Sequence, residues 1–144
     1  MNNPQNYLFV GVDTHKAQHT AVVINCFHQK IGYAQTPNNP ADFDSFLTRL
    51  KNLAHNDEQL VFGLEDTQGL GHSLSQWLIK KGYTVKEVNP VQTKREREQS
   101  TSPDKSDKID AKAIASVIAK AIVSVIAKAI VSVIAKAIVS VIAK

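Results

Sequence analysis

Residues 7–13 read YLFVGVD, an apolar run that ends on the acidic residue Asp13. Two further runs rich in strand-forming residues follow it, at residues 19–26 and 29–36. Only short polar connections separate the three runs, which is the pattern of an antiparallel meander. The chain is therefore predicted to begin with three antiparallel strands, with Asp13 at the carboxyl end of the first.

Helical and strand patterns alternate after the meander. From Pro40, which suits a first helical turn, apolar residues recur at helical spacing. A buried strand is predicted at 60–65, an amphipathic helix at 70–81 that ends at Gly82, and a fifth strand at 84–88. Antiparallel strands followed by right-handed crossover units predict an α/β fold, a mixed five-stranded sheet flanked by helices.

A second acidic residue, Glu65, ends the apolar strand LVFGLE. Since that strand is expected beside the first one, Asp13 and Glu65 are expected at the same carboxyl edge of the sheet, where open α/β sheets place their sites. A carboxylate after a buried segment is costly unless it has a partner, although Asp66 is an exposed alternative. His15 is expected either to act beside Asp13 or to be a polar turn residue.

Two more acidic residues, Asp107 and Asp110, lie three apart in KSDKIDAKAIA at residues 105–115. The pattern there is helical, and residues three apart project from one side of a helix, so both can face the sheet edge. Acidic residues in a first helical turn also complement the helix dipole, which is the alternative interpretation. Asp104, one turn earlier, is an alternative member of the pair.

Four carboxylates gathered at one place carry enough negative charge to hold two divalent cations. Mg²⁺ prefers oxygen ligands, and two Mg²⁺ ions about 4 Å apart activate a nucleophile and stabilise a leaving oxygen in phosphoryl transfer. The predicted metal-binding and catalytic set is therefore Asp13, Glu65, Asp107 and Asp110, with Mg²⁺ or Mn²⁺ as the cofactor. This chemistry suits the phosphodiester bonds of nucleic acid.

Residues 91–102, VQTKREREQSTS, are polar and lack apolar periodicity, so they are predicted to form a mobile loop. Five basic residues in and after this segment are the candidate nucleic-acid contacts: Lys94, Arg95, Arg97, Lys105 and Lys108. Two glutamates within the segment largely cancel its positive charge. A solvated loop with no phosphate partner is therefore the alternative.

Composition limits the class of protein. The length of 144 residues fits one domain with one real core. Residues 1–91 hold 7 Lys/Arg and 8 Asp/Glu, a net charge of −1, whereas residues 92–144 hold 10 and 5, a net charge of +5. Phosphate attraction must therefore come mainly from the later part. A single cysteine, Cys26, excludes an internal disulfide and a Cys-rich zinc module.

No targeting or membrane pattern is evident. The first residues lack the basic and apolar regions of a signal peptide, and lysines interrupt the apolar tail every eight residues. We therefore expect a cytoplasmic protein with no membrane partner.

From residue 113 the chain is an internal repeat, AIASVIAK followed by three copies of AIVSVIAK. Solenoid proteins have longer periods, so the repeat resembles a tandem expansion. Lys and Ser alternate every four residues, and on a helix this polar stripe drifts about 40° per step, which leaves no constant apolar face. Because Ala and Lys favour helix, residues 113–144 are predicted to continue the preceding helix as a tail without recognisable chemistry.

Four segments together resemble the amino-terminal domain of DEDD transposases, the insertion-sequence and Piv-type invertase group. They are GVDTHK at residues 11–16, GLEDTQGLGHSLSQWL at 63–78, GYTVKEVNP at 82–90 and KSDKIDAKAIA at 105–115. The resemblance runs from about Tyr7 to Ile118 and implies a RuvC-like, ribonuclease H-like domain over residues 1–112. It also implies that the four acidic residues are the metal-binding tetrad of a DNA recombinase.

The resemblance carries further expectations about partners. It implies a DNA partner, location in the bacterial cytoplasm at the nucleoid and, as in some family members, a structured guide RNA. Members of the family also have a carboxy-terminal domain thought to supply a serine nucleophile, and here the repeat stands in its place. A homo-oligomer held by the apolar tail is a further expectation.

Three other functions stay open at this point. A junction-resolving nuclease of the same fold would nick branched DNA without further domains. A nucleotide-binding fragment of the actin and sugar-kinase type also opens with a strand that ends in Asp, although a glycine-rich phosphate turn usually follows. An assembly module driven by the apolar tail needs no catalytic residue.

Overall fold

The computed structural model describes residues 3–55, 57–65, 69–99 and 107–143, and in the last segment it describes side chains from Lys108 onward. Within these residues the chain folds as one sheet with helices on both faces. After a short 3₁₀ turn at Pro4–Asn6, five strands form: β1 Tyr7–Thr14, β2 Gln18–Ile24, β3 Lys30–Pro37, β4 Gln59–Glu65 and β5 Thr84–Val88. Four helices accompany them: α1 Pro40–Lys51, α2 His72–Lys80, α3 Pro90–Glu98 and α4 Asp107–Ile142.

The sheet has the strand order β3-β2-β1-β4-β5. The first three strands pair antiparallel, whereas β4 pairs parallel to β1 and β5 parallel to β4. This arrangement places β1 at the centre of the sheet, with the meander on one side and the crossover strands on the other. The predicted α/β fold, a mixed five-stranded sheet flanked by helices with a long carboxy-terminal helix, is confirmed.

Alternate residues of β1 serve two separate hydrophobic cores, because side chains of a strand point to opposite faces. Leu8, Val10 and Val12 pack on the face covered by α1 and α2. Phe9 lies on the other face, where it is fully buried against α4 together with Ile114. Both faces of the central strand are therefore dry, which explains why YLFVGV is apolar throughout.

Helix α4 lies directly on β1, and Gly11 makes this possible. A Cβ atom at Gly11 would overlap the backbone carbonyl oxygen of Ala111 and the backbone nitrogen of Ala115. The two backbones therefore approach closely only because this strand position has no side chain. Since Gly11 lies two residues before Asp13, the contact brings the first turns of α4 to the acidic end of β1.

Helix α3 corrects the prediction of a mobile loop at residues 91–102, which is wrong for the residues described there. The Asn89 side chain accepts the backbone N–H of Val91 at 2.9 Å, and Pro90 occupies the first turn. The Lys, Arg, Glu and Gln residues that follow are strong helix formers. The helix was missed because only Thr93 is buried, so its sequence has no apolar stripe. Residues 100–102 lie outside the described part.

Helix α4 continues without a break from Asp107 into the repeat tail and through to Ile142. Its buried residues extend to Ile126, whereas residues 127–143 are exposed. By length and composition alone, α4 between Lys108 and Ile142 is apolar enough to cross a membrane. The first turns of the same helix belong to the core of the sheet, so the helix begins as a packed core helix.

Candidate functional site

Two of the four predicted acidic residues leave neighbouring strands at one edge of the sheet. Val12 of β1 lies opposite Leu64 of β4 in parallel register, so Asp13 and Glu65 follow at the same end. Thr14 Oγ1 donates a hydrogen bond of 3.4 Å to the Glu65 backbone carbonyl, which ties the two strand ends together. The expectation that these strands are adjacent is therefore correct.

The third acidic residue, Asp110, reaches the same region from α4. It lies in the first turns of that helix, directly before Ala111, whose backbone contacts Gly11 of β1. Its side chain is 24% exposed, so it faces neither open solvent nor the dry core. Asp107 begins the helix. The Asp107 side chain lies outside the described part of the structure.

A basic residue, Arg97 of α3, joins the acidic residues. Its Nη1 atom donates a 2.9 Å hydrogen bond to Asp110 Oδ1, with 30% of the Arg97 side chain exposed. This hydrogen bond raises the pKa of Arg97 further, and the negative charges of Asp110, Glu65 and Asp13 act in the same direction. One guanidinium therefore lies within the electrostatic reach of three carboxylates that come from β1, β4 and α4.

Histidines organise the turn that follows Asp13. His15 Nε2 and Asp13 Oδ2 lie 2.9 Å apart, and the Asp13 side chain is only 16% exposed. The backbone N–H of His15 in turn points to Nδ1 of His19 at 3.3 Å. Burial lowers the pKa of His19, which favours the neutral ring that this contact needs, and Asn38 partly offsets the effect. A buried histidine thus supports the turn that orients Asp13.

The other predicted nucleic-acid contacts that the structure describes lie on α3 and α4. Lys94 and Arg95 are exposed on α3. Lys108 lies with its Nζ atom 3.5 Å from the centre of the Tyr33 ring, a cation–π contact on β3. Lys105 lies outside the described residues, as do Asp66 and Asp104, the alternative acidic residues.

The cluster has the donor chemistry of a divalent metal site. Carboxylate oxygens are the ligands that Mg²⁺ prefers, and the three carboxylates already attract one cation, Arg97. Among the residues described, however, no group of three or more His, Cys, Asp or Glu side chains is close enough to hold a metal ion. The carboxylates thus have the donor type that such an ion prefers, without the close grouping that would hold one, and Arg97 supplies a positive charge to Asp110.

Sequence comparison assigns the chain to a family. The family model of the IS110-type DEDD transposases, described as "Transposase", matches residues 10–128. The chain belongs to this transposase family. The resemblance drawn from the four acidic segments is thereby confirmed, and the match includes both strand ends of the site and the start of α4. No curated protein matches the transposase chain significantly.

Solved structures similar to the transposase chain include two of RuvC from Thermus thermophilus. One is in complex with a Holliday junction substrate, with 15% identity, a TM-score of 0.49, and coverage of 76% of this chain and 90% of that one. The second RuvC structure has 14% identity, a TM-score of 0.49, and coverage of 75% and 90%. A ROK family glucokinase from Streptomyces griseus has 16% identity, a TM-score of 0.39, and coverage of 63% and 36%.

Sequence reasoning named Arg97 as a phosphate contact and missed its role within the transposase domain. The partner, Asp110, is 13 residues away along the chain and on a different helix. Such a pair depends on how α3 packs against α4, which no local pattern encodes. Alternating basic and acidic residues at 94–98 were the available signal, because they indicate a helix held by ion pairs rather than by an apolar stripe.

Proposed function

We propose that this chain is the metal-dependent catalytic domain of a DNA transposase, which positions DNA for cleavage and strand transfer. One observation carries the proposal: Asp13 and Glu65 follow paired positions at the same end of the adjacent strands β1 and β4, and Asp110 directly precedes Ala111, where α4 packs on Gly11 of β1. The negative charges of all three carboxylates raise the pKa of Arg97, which supports the same arrangement. Membership of the transposase family supports this interpretation.

Asp13, Glu65 and Asp110 would hold the divalent cation, together with Asp107 at the start of α4. Bound Mg²⁺ or Mn²⁺ supplies Lewis-acid chemistry, because it activates an oxygen nucleophile and stabilises the leaving oxygen of a phosphodiester. His15 would keep the Asp13 carboxylate in one orientation through their 2.9 Å contact. The buried ring of His19 restrains the backbone of that turn.

DNA is the proposed partner, and the exposed basic residues of α3 would contact its backbone. Lys94 and Arg95 are exposed and have the charge and reach for phosphate, as has Lys105 by its sequence. Lys108, whose Nζ atom lies on the Tyr33 ring, would contribute a further phosphate contact. A guide RNA and location at the nucleoid, which the family resemblance implies, and a homo-oligomer, which the apolar tail suggests, are further parts of this proposal.

Metal binding is tested by thermal unfolding of the full chain with EDTA, Mg²⁺ or Mn²⁺. We expect the metal to raise the Tm of the parent, because a ligand that binds only the folded state stabilises it. Asp13→Asn and Glu65→Gln should lose most of this rise. Asp44→Asn is the matched control, because that carboxylate is exposed and pairs only distantly with Lys81, at 3.8 Å.

The result that overturns the metal centre is a parent Tm that does not respond to either ion, or an equal response in Asp13→Asn.

Activity is tested separately, with linear and branched DNA in the presence of Mn²⁺. Nicking of branched DNA by this chain alone would favour a junction-resolving nuclease over a transposase domain that needs a further partner. Metal binding without nicking is the result expected for the transposase domain.

A further inference from the structure

Arg97 and the acidic residues come from different elements. Asp13 lies on β1, Glu65 on β4 and Asp110 on α4. Arg97 comes from α3, a separate nine-residue helix. We infer that Arg97 is a built-in counter-ion of the acidic cluster, a positioning residue that a divalent cation must displace in order to bind. This inference rests on the proposed metal-binding function and specifies how the site is regulated.

The contact geometry supports competition between the guanidinium and a metal. Arg97 Nη1 donates to Asp110 Oδ1 at 2.9 Å, so it occupies an oxygen that a metal ion would need as a ligand. The same guanidinium is within electrostatic reach of Glu65 and Asp13. One positive charge therefore partly neutralises three carboxylates, and a divalent ion at the same place would carry twice that charge.

The attachment of α3 makes displacement feasible. Only Thr93 of this helix is buried, and the helix meets α4 through two ion pairs, Arg97 with Asp110 and Glu96 with Lys120. The Arg97 side chain is 30% exposed, so water can replace its contacts when it leaves. Since α3 has no buried apolar side chain, breaking the Arg97–Asp110 pair exposes no hydrophobic core of this helix.

The position of Arg97 also separates it from the other basic residues of α3. Lys94 and Arg95 are exposed. Arg97 instead faces α4 and makes a hydrogen bond there. A residue kept only for phosphate contact has no need of an acidic partner within the protein. Arg95→Gln is therefore the matched control for Arg97→Gln, because both variants remove one arginine charge from the same helix.

The decisive experiment is calorimetric titration of the full chain with Mn²⁺. We expect Arg97→Gln to lower the Kd for Mn²⁺ by about fivefold, since a competing cation has been removed from a half-exposed site. Arg95→Gln should stay within about twofold of the parent, because exposed charges at a distance are screened. Arg97→Lys keeps the charge and should restore a Kd close to that of the parent. Equal or weaker Mn²⁺ binding by Arg97→Gln than by Arg95→Gln overturns the inference.

A second measurement needs no metal. In EDTA, Arg97→Gln should lower the Tm more than Arg95→Gln does, because Asp110 then loses the hydrogen bond and the positive charge that Arg97 supplies. In an Asp110→Asn background this extra loss should largely disappear, since the main partner of Arg97 is already absent. An extra loss that is undiminished in that background contradicts the counter-ion role.

The two proposals fail in different ways. A parent that binds no Mn²⁺ overturns the metal-binding function and the competition together. A parent whose Mn²⁺ binding is abolished by Asp13→Asn, but is the same in Arg97→Gln and Arg95→Gln, retains the metal centre and overturns only the role of Arg97. Weaker DNA binding by Arg97→Gln at an unchanged Kd for Mn²⁺ would assign the residue to phosphate contact instead.

Discussion

The proximal half of α4, residues 107–126, and its distal half, residues 127–142, share the repeat but lie in opposite environments. The first repeat copy, AIASVIAK, is buried against the sheet through Ile114, Ala115 and Ile118. In the third and fourth copies the corresponding Ile130 and Ile138 are 46% and 53% exposed. Nearly identical sequences therefore differ in burial. Apolar content alone does not decide whether a segment packs in a core.

The lengths of the two elements explain the difference. A helix of 36 residues spans roughly 54 Å, whereas the eight-residue strand β1 spans roughly 27 Å. The sheet can cover only about half of α4, and the remainder continues past its edge. Only the proximal half carries Asp110, so the part of α4 that packs is also the part that supplies the site.

The largest expected effect comes from preventing the proximal half from docking. Gly11→Ala places a methyl group against the backbone of α4, so we expect a loss of about 3 kcal/mol or more of unfolding free energy. Gly32→Ala is the matched control on β3, because its added Cβ meets only the movable side chain of Leu53. Urea unfolding measures both. Equal stability of the two variants would mean that α4 does not rely on close approach at Gly11.

Replacing an isoleucine by alanine at the same repeat position compares the stability contributions of the proximal and distal halves of α4. Ile114→Ala removes a fully buried side chain and should cost about 2–5 kcal/mol. Ile138→Ala makes the same change where the side chain is 53% exposed, and it should stay within about 0.5 kcal/mol of the parent. Chemical denaturation of the pair checks this. Similar losses in both variants would show that the distal half is also packed in solution.

A smaller difference is expected at the serine position of the repeat. Ser116 is buried, and its Oγ lies 3.2 Å from Nδ1 of His28 in the turn between β2 and β3. Ser116→Ala should cost about 1 kcal/mol more than Ser132→Ala, since only the first loses a protein hydrogen bond. Both variants replace serine by alanine within α4, so the gain in helix propensity is the same and does not affect the difference between them. Thermal unfolding at one pH resolves the difference, and equal Tm values would contradict it.

The smallest effect is expected from removing the distal half. A chain that ends after Lys128 keeps every buried residue of α4, so its unfolding free energy should change by less than about 0.5 kcal/mol. Light scattering on the same samples reports whether the exposed apolar residues drive association. A loss of several kcal/mol in the shortened chain would show that the distal half stabilises the fold, for instance within an oligomer.

The secondary structure around the site was largely predictable from local patterns. Alternation and apolar runs located all five strands, and the acids that end β1 and β4 followed from them. Helix α3 was not predictable in this way, because its stability comes from the Asn89 cap and from ion pairs to α4 rather than from periodicity. Local patterns report which face is apolar, and α3 has no such face.

The sequence named members for the candidate site but not their arrangement, and their role in metal binding stays a prediction. Asp13, Glu65 and Asp110 were named from their positions at strand ends and in a helix, together with a family resemblance. That Arg97 pairs with Asp110 was not predictable, because the hydrogen bond joins two helices, α3 and α4, whose packing depends on the tertiary structure. The Asp107 side chain and Lys105 lie outside the described part of the structure, so their positions relative to the other residues stay predictions as well.

By itself, the sequence determined the order of strands and helices and the acidic residues that end them, because hydrophobic periodicity and turn chemistry act over a few neighbouring residues. Only the tertiary structure decided which copies of the repeat are buried and which cation meets the carboxylates. Both outcomes depend on distances between elements remote along the chain: how far the sheet extends beneath α4, and how closely α3 approaches its first turns. Local residue order does not contain those distances, since packing of the whole core sets them.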